Sequence, residues 1–209
     1  MRRARRPLLA PLVAPLVATL ALAAAGLATA AGCGGEQRLA PLPAPPPPGG
    51  SLGAWDVVYQ ALQHPRCMNC HPAGEAPLQG DSSLPHAQNV QRGAMGHGRY
   101  ALRCDACHQE ANLPGPHLPP GAPGWHLPRR DEPLVFEGRS SAELCRQLKD
   151  PERNGHKSLE ELFAHVDHDP LVLWGWSPGE GRTPVKVSHL ELVAAMRAWI
   201  DGGCDCPEP

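Results

Sequence analysis

Apolar positions recur at helical spacing in four places along the chain. Trp55, Val58, Tyr59 and Leu62 fall at i, i+3, i+4 and i+7 behind Ser51, a residue type that caps helix N-termini. This predicts a first helix running from an N-cap at Ser51 and stopping at Pro65. Leu192, Val193, Met196, Trp199 and Ile200 share one face of a last helix, with Ser188 as its N-cap and Glu191 completing a capping box. Gly202 stands just past its end. A similar box, Ser140 with Glu143, precedes Leu144, Cys145 and Leu148 on an inward face, and a further helix is predicted over Leu159 to His165. Between these segments Pro and Gly recur from Pro72 through Pro133, and LPGPHLPPGAPGWHLP can hardly form helix or strand. The expected fold class is mostly α with extensive loops.

The longest apolar run lies elsewhere. Leu8 to Ala31 follows Arg2, Arg3, Arg5 and Arg6, the order of charged and apolar zones that an export signal requires. The run is long enough to span a bilayer as an uncleaved helix, but Pro11, Pro15 and the abundance of alanine favour cleavage. It closes on Ala30-Ala31-Gly32-Cys33, which resembles a lipoprotein cleavage site, with Ala in place of the usual Leu three before the cysteine. The chain therefore divides into a signal peptide at 1–32, a lipid-anchored Pro-rich tether at 33–50 and a folded domain at 51–209. Cys33 would carry the lipid. Residues 36–50, EQRLAPLPAPPPPGG, hold six prolines and read as a semi-rigid spacer. Removing the four leading arginines shifts the formal charge from −2 to −6, so no basic patch remains for nucleic acid.

Candidate chemistry sits in one pentapeptide that occurs twice, Cys67-Met-Asn-Cys70-His71 and Cys104-Asp-Ala-Cys107-His108. This spacing suits covalent haem attachment. Two thiols add across the two vinyl groups of one porphyrin, and the adjacent histidine ligates its iron from the proximal side. Two motifs imply two c-type haems, held by Cys67, Cys70, Cys104 and Cys107, with His71 and His108 as iron ligands. A paired-CxxC zinc site leaves roughly 15–20 residues between its halves, whereas 33 separate Cys70 from Cys104. A thioredoxin-like couple needs a βαβ context, and none is visible. Porphyrin faces would also supply apolar surface for loops to wrap, which accounts for so few aromatic residues in the chain.

Three of the eight cysteines remain once Cys33 and the two motifs are assigned: Cys145, Cys204 and Cys206. An exported chain can keep a disulfide. Cys145 is expected to bridge to the C-terminus, with Cys206 the preferred partner and Cys204 the alternative.

The sixth iron ligand decides much of the function. Met196 reads as core, and Met68 lies inside its own motif. Met95 and His97 lie in GAMGHGRY, whose glycines either bring backbone to a haem or make turns. His86, fifteen residues after His71, is a candidate distal ligand, and His165 or His168 in HVDHDP could serve the second haem. His64 is too close to Cys67 to swing around its own ring. Trp174-Gly175-Trp176 belongs beside a haem, at a docking face or in the core.

An amphipathic helix leading into CxxCH, and another closing the chain with WIDGG, resemble the paired terminal helices of cytochrome c domains. Either one cytochrome c-like dihaem domain or two small halves would follow, and the bracketing helices favour one. The stretches HPRCMNCHPAGEAPLQGD, HAQNVQRG, RCDACHQEANLPG, PPGAPGWHLP, VFEGRSSAELCRQLKDP and DPLVLWGWSPGEGRTP resemble a family of small dihaem proteins often labelled as isoquinoline 1-oxidoreductase subunits. The resemblance covers most of residues 55 to 207 and carries over Cys67, Cys70, His71, Cys104, Cys107 and His108. It includes His86 and His165 but lends no such support to Met95. It implies a periplasmic electron-transfer protein serving a molybdenum hydroxylase, and no molybdopterin or iron–sulfur motif is present in this chain. The alternative is a dihaem peroxidase-like enzyme or a haem-based sensor, in which one iron keeps an open position. A zinc-stabilised binding module would show no haem absorption at all.

Overall fold

The structure is a computed structural model and describes residues 48–209. The export signal, Cys33 and the tether up to residue 47 lie outside the described residues. Among the described residues no helix is long and apolar enough to cross a membrane.

The elements, in order, are α1 (Gly50–Leu62), α2 (Pro65–Met68), the strands β1 (Leu78–Gln79), β2 (Leu84–Pro85), β3 (Gly98–Arg99) and β4 (Leu102–Arg103), then α3 (Ser141–Lys149), α4 (Leu159–His168), α5 (Pro170–Leu173) and α6 (His189–Asp201). The core forms where α1 crosses α6. Trp55 and Trp199 are fully buried there with ring centres 5.1 Å apart, among Ala54, Val58, Leu192 and Ala195. Leu144 and Leu148 of α3 and Leu162 and Val166 of α4 complete the same cluster. Burying a side chain of this size stabilises by about 1.5–3 kcal/mol, which explains how a chain so rich in loops keeps its two terminal helices together.

Ser51 departs from its expected role. Gly49, at φ 96°, occupies the N-cap of α1, and Ser51 lies inside the helix. Its hydroxyl donates to the Trp199 carbonyl (3.2 Å) and accepts from the Asp205 amide (3.0 Å). The serine thus ties the first helix to the turn after the last one. Ser140 caps α3 in its expected box with Glu143, and a further complete box, Ser158 with Glu161, starts α4. Helix α4 runs three residues beyond His165. At α6 only the serine half of the box forms, Ser188 accepting from the Glu191 amide.

A disulfide joins Cys145 to Cys206 and pins the C-terminal tail to α3. Cys204 stays a buried free thiol.

The Pro/Gly-rich middle of the chain is organised by two short antiparallel hairpins, β1 with β2 and β3 with β4. Each returns the chain to a chemically important residue: β2 ends immediately before His86, and β4 immediately before Cys104.

Candidate functional site

Both pentapeptides fold as single helical turns, for local reasons. His64 is extended, as a residue before proline prefers, and its ring accepts from the Arg66 amide, so Pro65 begins α2 as its first residue. Cys70 then donates its amide to the Cys67 carbonyl and His71 to that of Met68. In the second motif the Cys107 and His108 amides both reach the Cys104 carbonyl, at 3.2 and 2.9 Å, closing a 3₁₀ turn. A turn of this kind sets the two cysteines three residues apart on one side and carries the histidine just past them.

The two histidines share an arrangement. His71 Nδ1 lies 2.6 Å from the Leu134 carbonyl, and His108 Nδ1 lies 2.7 Å from that of Pro120. A carbonyl can only accept, so Nδ1 carries the proton and Nε2 keeps its lone pair, the tautomer of a metal-ligating histidine. Each ring is also held flat against an aromatic neighbour, His71 on Phe136 at 3.9 Å and His108 on Trp125 at 4.4 Å. Loss of water around the charged form pushes the pKa of His71 down to about 3, and the same cause lowers that of His108. Both imidazoles are therefore neutral near pH 7.

Burial raises the thiols as well, Cys67 to about 12 and Cys70 to about 11. A thiol-exchange couple works through a lowered pKa, so this environment opposes that chemistry. A zinc site built from both cysteine pairs requires the pairs to converge. Among the described residues no group of three or more His, Cys, Asp and Glu side chains converges as a metal site.

A cleft of about 570 Å³ opens at the second motif, lined by Cys104, Cys107, His108, His86 and Trp125, with Cys70 of the first motif on the same wall. Leu84, Leu102 and Leu118 line it while remaining 61%, 45% and 39% exposed, so the polypeptide alone leaves this apolar surface uncovered. Arg66, Arg103 and Arg182 line it too, with Asp81 the one acidic side chain on the wall. The Arg66 side chain is 3% exposed. It pairs with Asp81 and packs over the Trp174 ring, yet its Nε is buried without a partner. Burial lowers the pKa of Arg66 and Arg182, and each remains a cation. Apolar walls, two adjacent thiols, a lone-pair imidazole and arginine cations, one of them with an unpartnered Nε, fit a porphyrin and its carboxylates.

The distal candidates separate in space. His86 lines the cleft of the second motif, and His165 lies on α4. His86 stands beside His108, ring centres 6.3 Å apart. His165 Nδ1 is engaged by Asp169 at 3.0 Å, at the last turn of α4. His168 is exposed. Met95 is 53% exposed, His97 pairs with His126 at 5.3 Å, and Met196 is core. The glycines of GAMGHGRY serve chain packing: Gly96, at φ 81°, lies so close to the Leu127 carbonyl that a Cβ could not fit. Trp174 lines the cleft, edge-on to Trp125 at 5.0 Å, while Trp176 packs away from it against His189.

Arg66, Arg92, Asn69 and Trp125 escaped sequence reasoning. Arg92 is buried and donates to the carbonyls of Pro72, Gly74 and Pro128, holding the loops around the first motif. Arg66 and Asn69 at least adjoin or interrupt a CxxCH string, which is the signal that could have drawn attention to them. Compared with family models, with curated proteins and with solved structures, the chain matches none.

Proposed function

We propose that this chain is a cytochrome c-like dihaem protein that carries electrons in the periplasm, one c-type haem at each pentapeptide. The observation that supports it best is the repeated state of the motif histidines, each protonated at Nδ1 toward a backbone carbonyl and braced on an aromatic ring. Two unrelated loops supply those carbonyls, so the repetition is not a by-product of one local fold. Bound haem would supply a one-electron couple at its iron.

The chain's own residues do the rest. Cys67 and Cys70, and Cys104 and Cys107, would anchor the two rings, and His71 and His108 would ligate the irons. Arg66 and Arg182 would meet the haem carboxylates in the cleft. Leu84, Leu102 and Leu118 would be covered by the ring. Cys70 lines the same cleft as Cys104, and an electron would pass between the two rings along this side of the domain.

On this reading the donor is a redox protein, with a molybdenum hydroxylase the partner suggested by the resemblance, and the acceptor is respiratory. Lipid at Cys33 and the proline tether would keep the domain at a membrane surface as a periplasmic lipoprotein. Nucleic acid is not among the proposed partners. The competing reading, a peroxidase-like enzyme or sensor, requires an open iron position.

Intact-mass measurement after export in a host with haem maturation machinery tests the proposal. Two haem additions are expected, falling to one when Cys67 and Cys70 are both changed to serine. A mature product with fewer than two additions overturns it.

A further inference from the structure

We infer that His86 closes the iron site of the second motif, carried there by the hairpin that grows out of the first motif, and that Asn69 is its positioning residue. The inference rests on reading Cys104 to His108 as a haem site.

Two observations carry it. The first is distance. Metal–imidazole bonds are about 2.0–2.1 Å and a ring centre lies roughly 1.2 Å behind its nitrogen, so two histidines flanking one metal have centres about 6.4 Å apart. The centres of His86 and His108 are 6.3 Å apart, with ring planes inclined at 66°. Rotation about a ligand–metal–ligand axis leaves that angle free. The half-buried His86 ring lines the same cleft as His108 and keeps a buried nitrogen, Nδ1, without a partner. Of the other histidines nearby, His117 also lines the cleft but is exposed, and His126 faces His97; the imidazole set against His108 is that of His86.

The second observation is how His86 is held. Asn69, between the two cysteines of the first motif, accepts the Leu78 amide at its carbonyl (3.0 Å) and donates from its side chain to the Gly80 carbonyl (2.9 Å). Both bonds fasten β1 and the turn after it to the first haem turn. At the other end of the hairpin, the His86 amide donates to the Pro77 carbonyl (3.0 Å). The register Leu78 to Pro85 leaves His86 as the next residue after the paired segment. The backbone that would carry one haem therefore aims the ligand of the other.

Held by both imidazoles, a haem at the second motif would offer no open iron position to peroxide or gas, as an electron carrier requires. It would also lack the thioether ligand that raises potentials.

Magnetic resonance spectra of the oxidised, membrane-released holoprotein test this. His86→Ala is expected to keep both haem mass additions while one of the two irons turns from low-spin to high-spin, and added imidazole should restore the low-spin signal. His86→Met, which keeps a ligand in place should the alanine variant mature poorly, is expected to raise the midpoint potential of one haem. Asn69→Ala should raise the high-spin fraction in the parent but add nothing in the His86→Ala background. Two haems with unchanged low-spin signals in His86→Ala, or an unchanged potential in His86→Met, overturn the inference and leave the dihaem reading intact. Absence of haem from the parent protein overturns that reading instead.

Discussion

The disulfide between Cys145 and Cys206 allows a stability prediction worked from the structure. The two cysteines are separated by 61 positions, and every cysteine of the two pentapeptides precedes Cys145, so none of them falls inside the loop it closes. Loop-closure entropy for about 61 residues is on the order of 14 cal/mol/K, which at 25 °C gives about 4 kcal/mol of stability from constraint of the unfolded chain. That loop contains α4, α5 and α6, so opening it frees the segment that supplies half of the Trp55–Trp199 core. Reduction opens the cross-link, but a thiol reductant also reduces any ferric haem iron. The Cys145→Ala, Cys206→Ala double variant removes the cross-link without that reductant and without leaving Cys206 beside the free Cys204. Urea unfolding followed by far-ultraviolet circular dichroism should show a loss of about 4 kcal/mol on reduction. The urea dependence should steepen, because the opened chain exposes more surface. The variant should fall at least as far, since Cys145 is fully buried and its truncation adds a small void. A loss under about 1 kcal/mol with an unchanged slope refutes the reasoning.

Trp199→Ala should cost about 3–5 kcal/mol, read as a lowered thermal midpoint, because it empties the contact between α1 and α6. A change under about 1 kcal/mol would mean that the two helices do not depend on each other. Asp81 accepts from the Thr183 hydroxyl and amide and from Arg66, and these partners, Thr183 foremost, hold its carboxyl below the usual range. The stability it contributes is therefore present above the ordinary carboxylate pKa and lost as pH falls through the lower folded value. Asp81→Asn should be less stable than the parent at neutral pH and converge with it in acid, and parallel stability curves across that range would contradict the assignment.

What the chain determines locally is legible from its order of residues. Helices α1, α3, α4 and α6 follow from apolar periodicity, and the serines before α3, α4 and α6 mark their starts, because caps and stripes involve residues three or four apart. The repeated Cys-x-x-Cys-His pentapeptides are legible for the same reason, since their thiols and imidazole are sequence neighbours. Strands of two residues are not: alternation needs four or more positions to register, so both hairpins lay hidden among Pro and Gly. Only the tertiary structure decided that Ser51 ties two helices rather than capping one, and that Leu134 and Pro120 offer the carbonyls for His71 and His108. It also set His86 beside His108 of the second motif. The three hydrogen bonds join residues 12 to 148 positions apart, each through a backbone carbonyl. No side-chain pattern encodes such a meeting; the path of the folded backbone does.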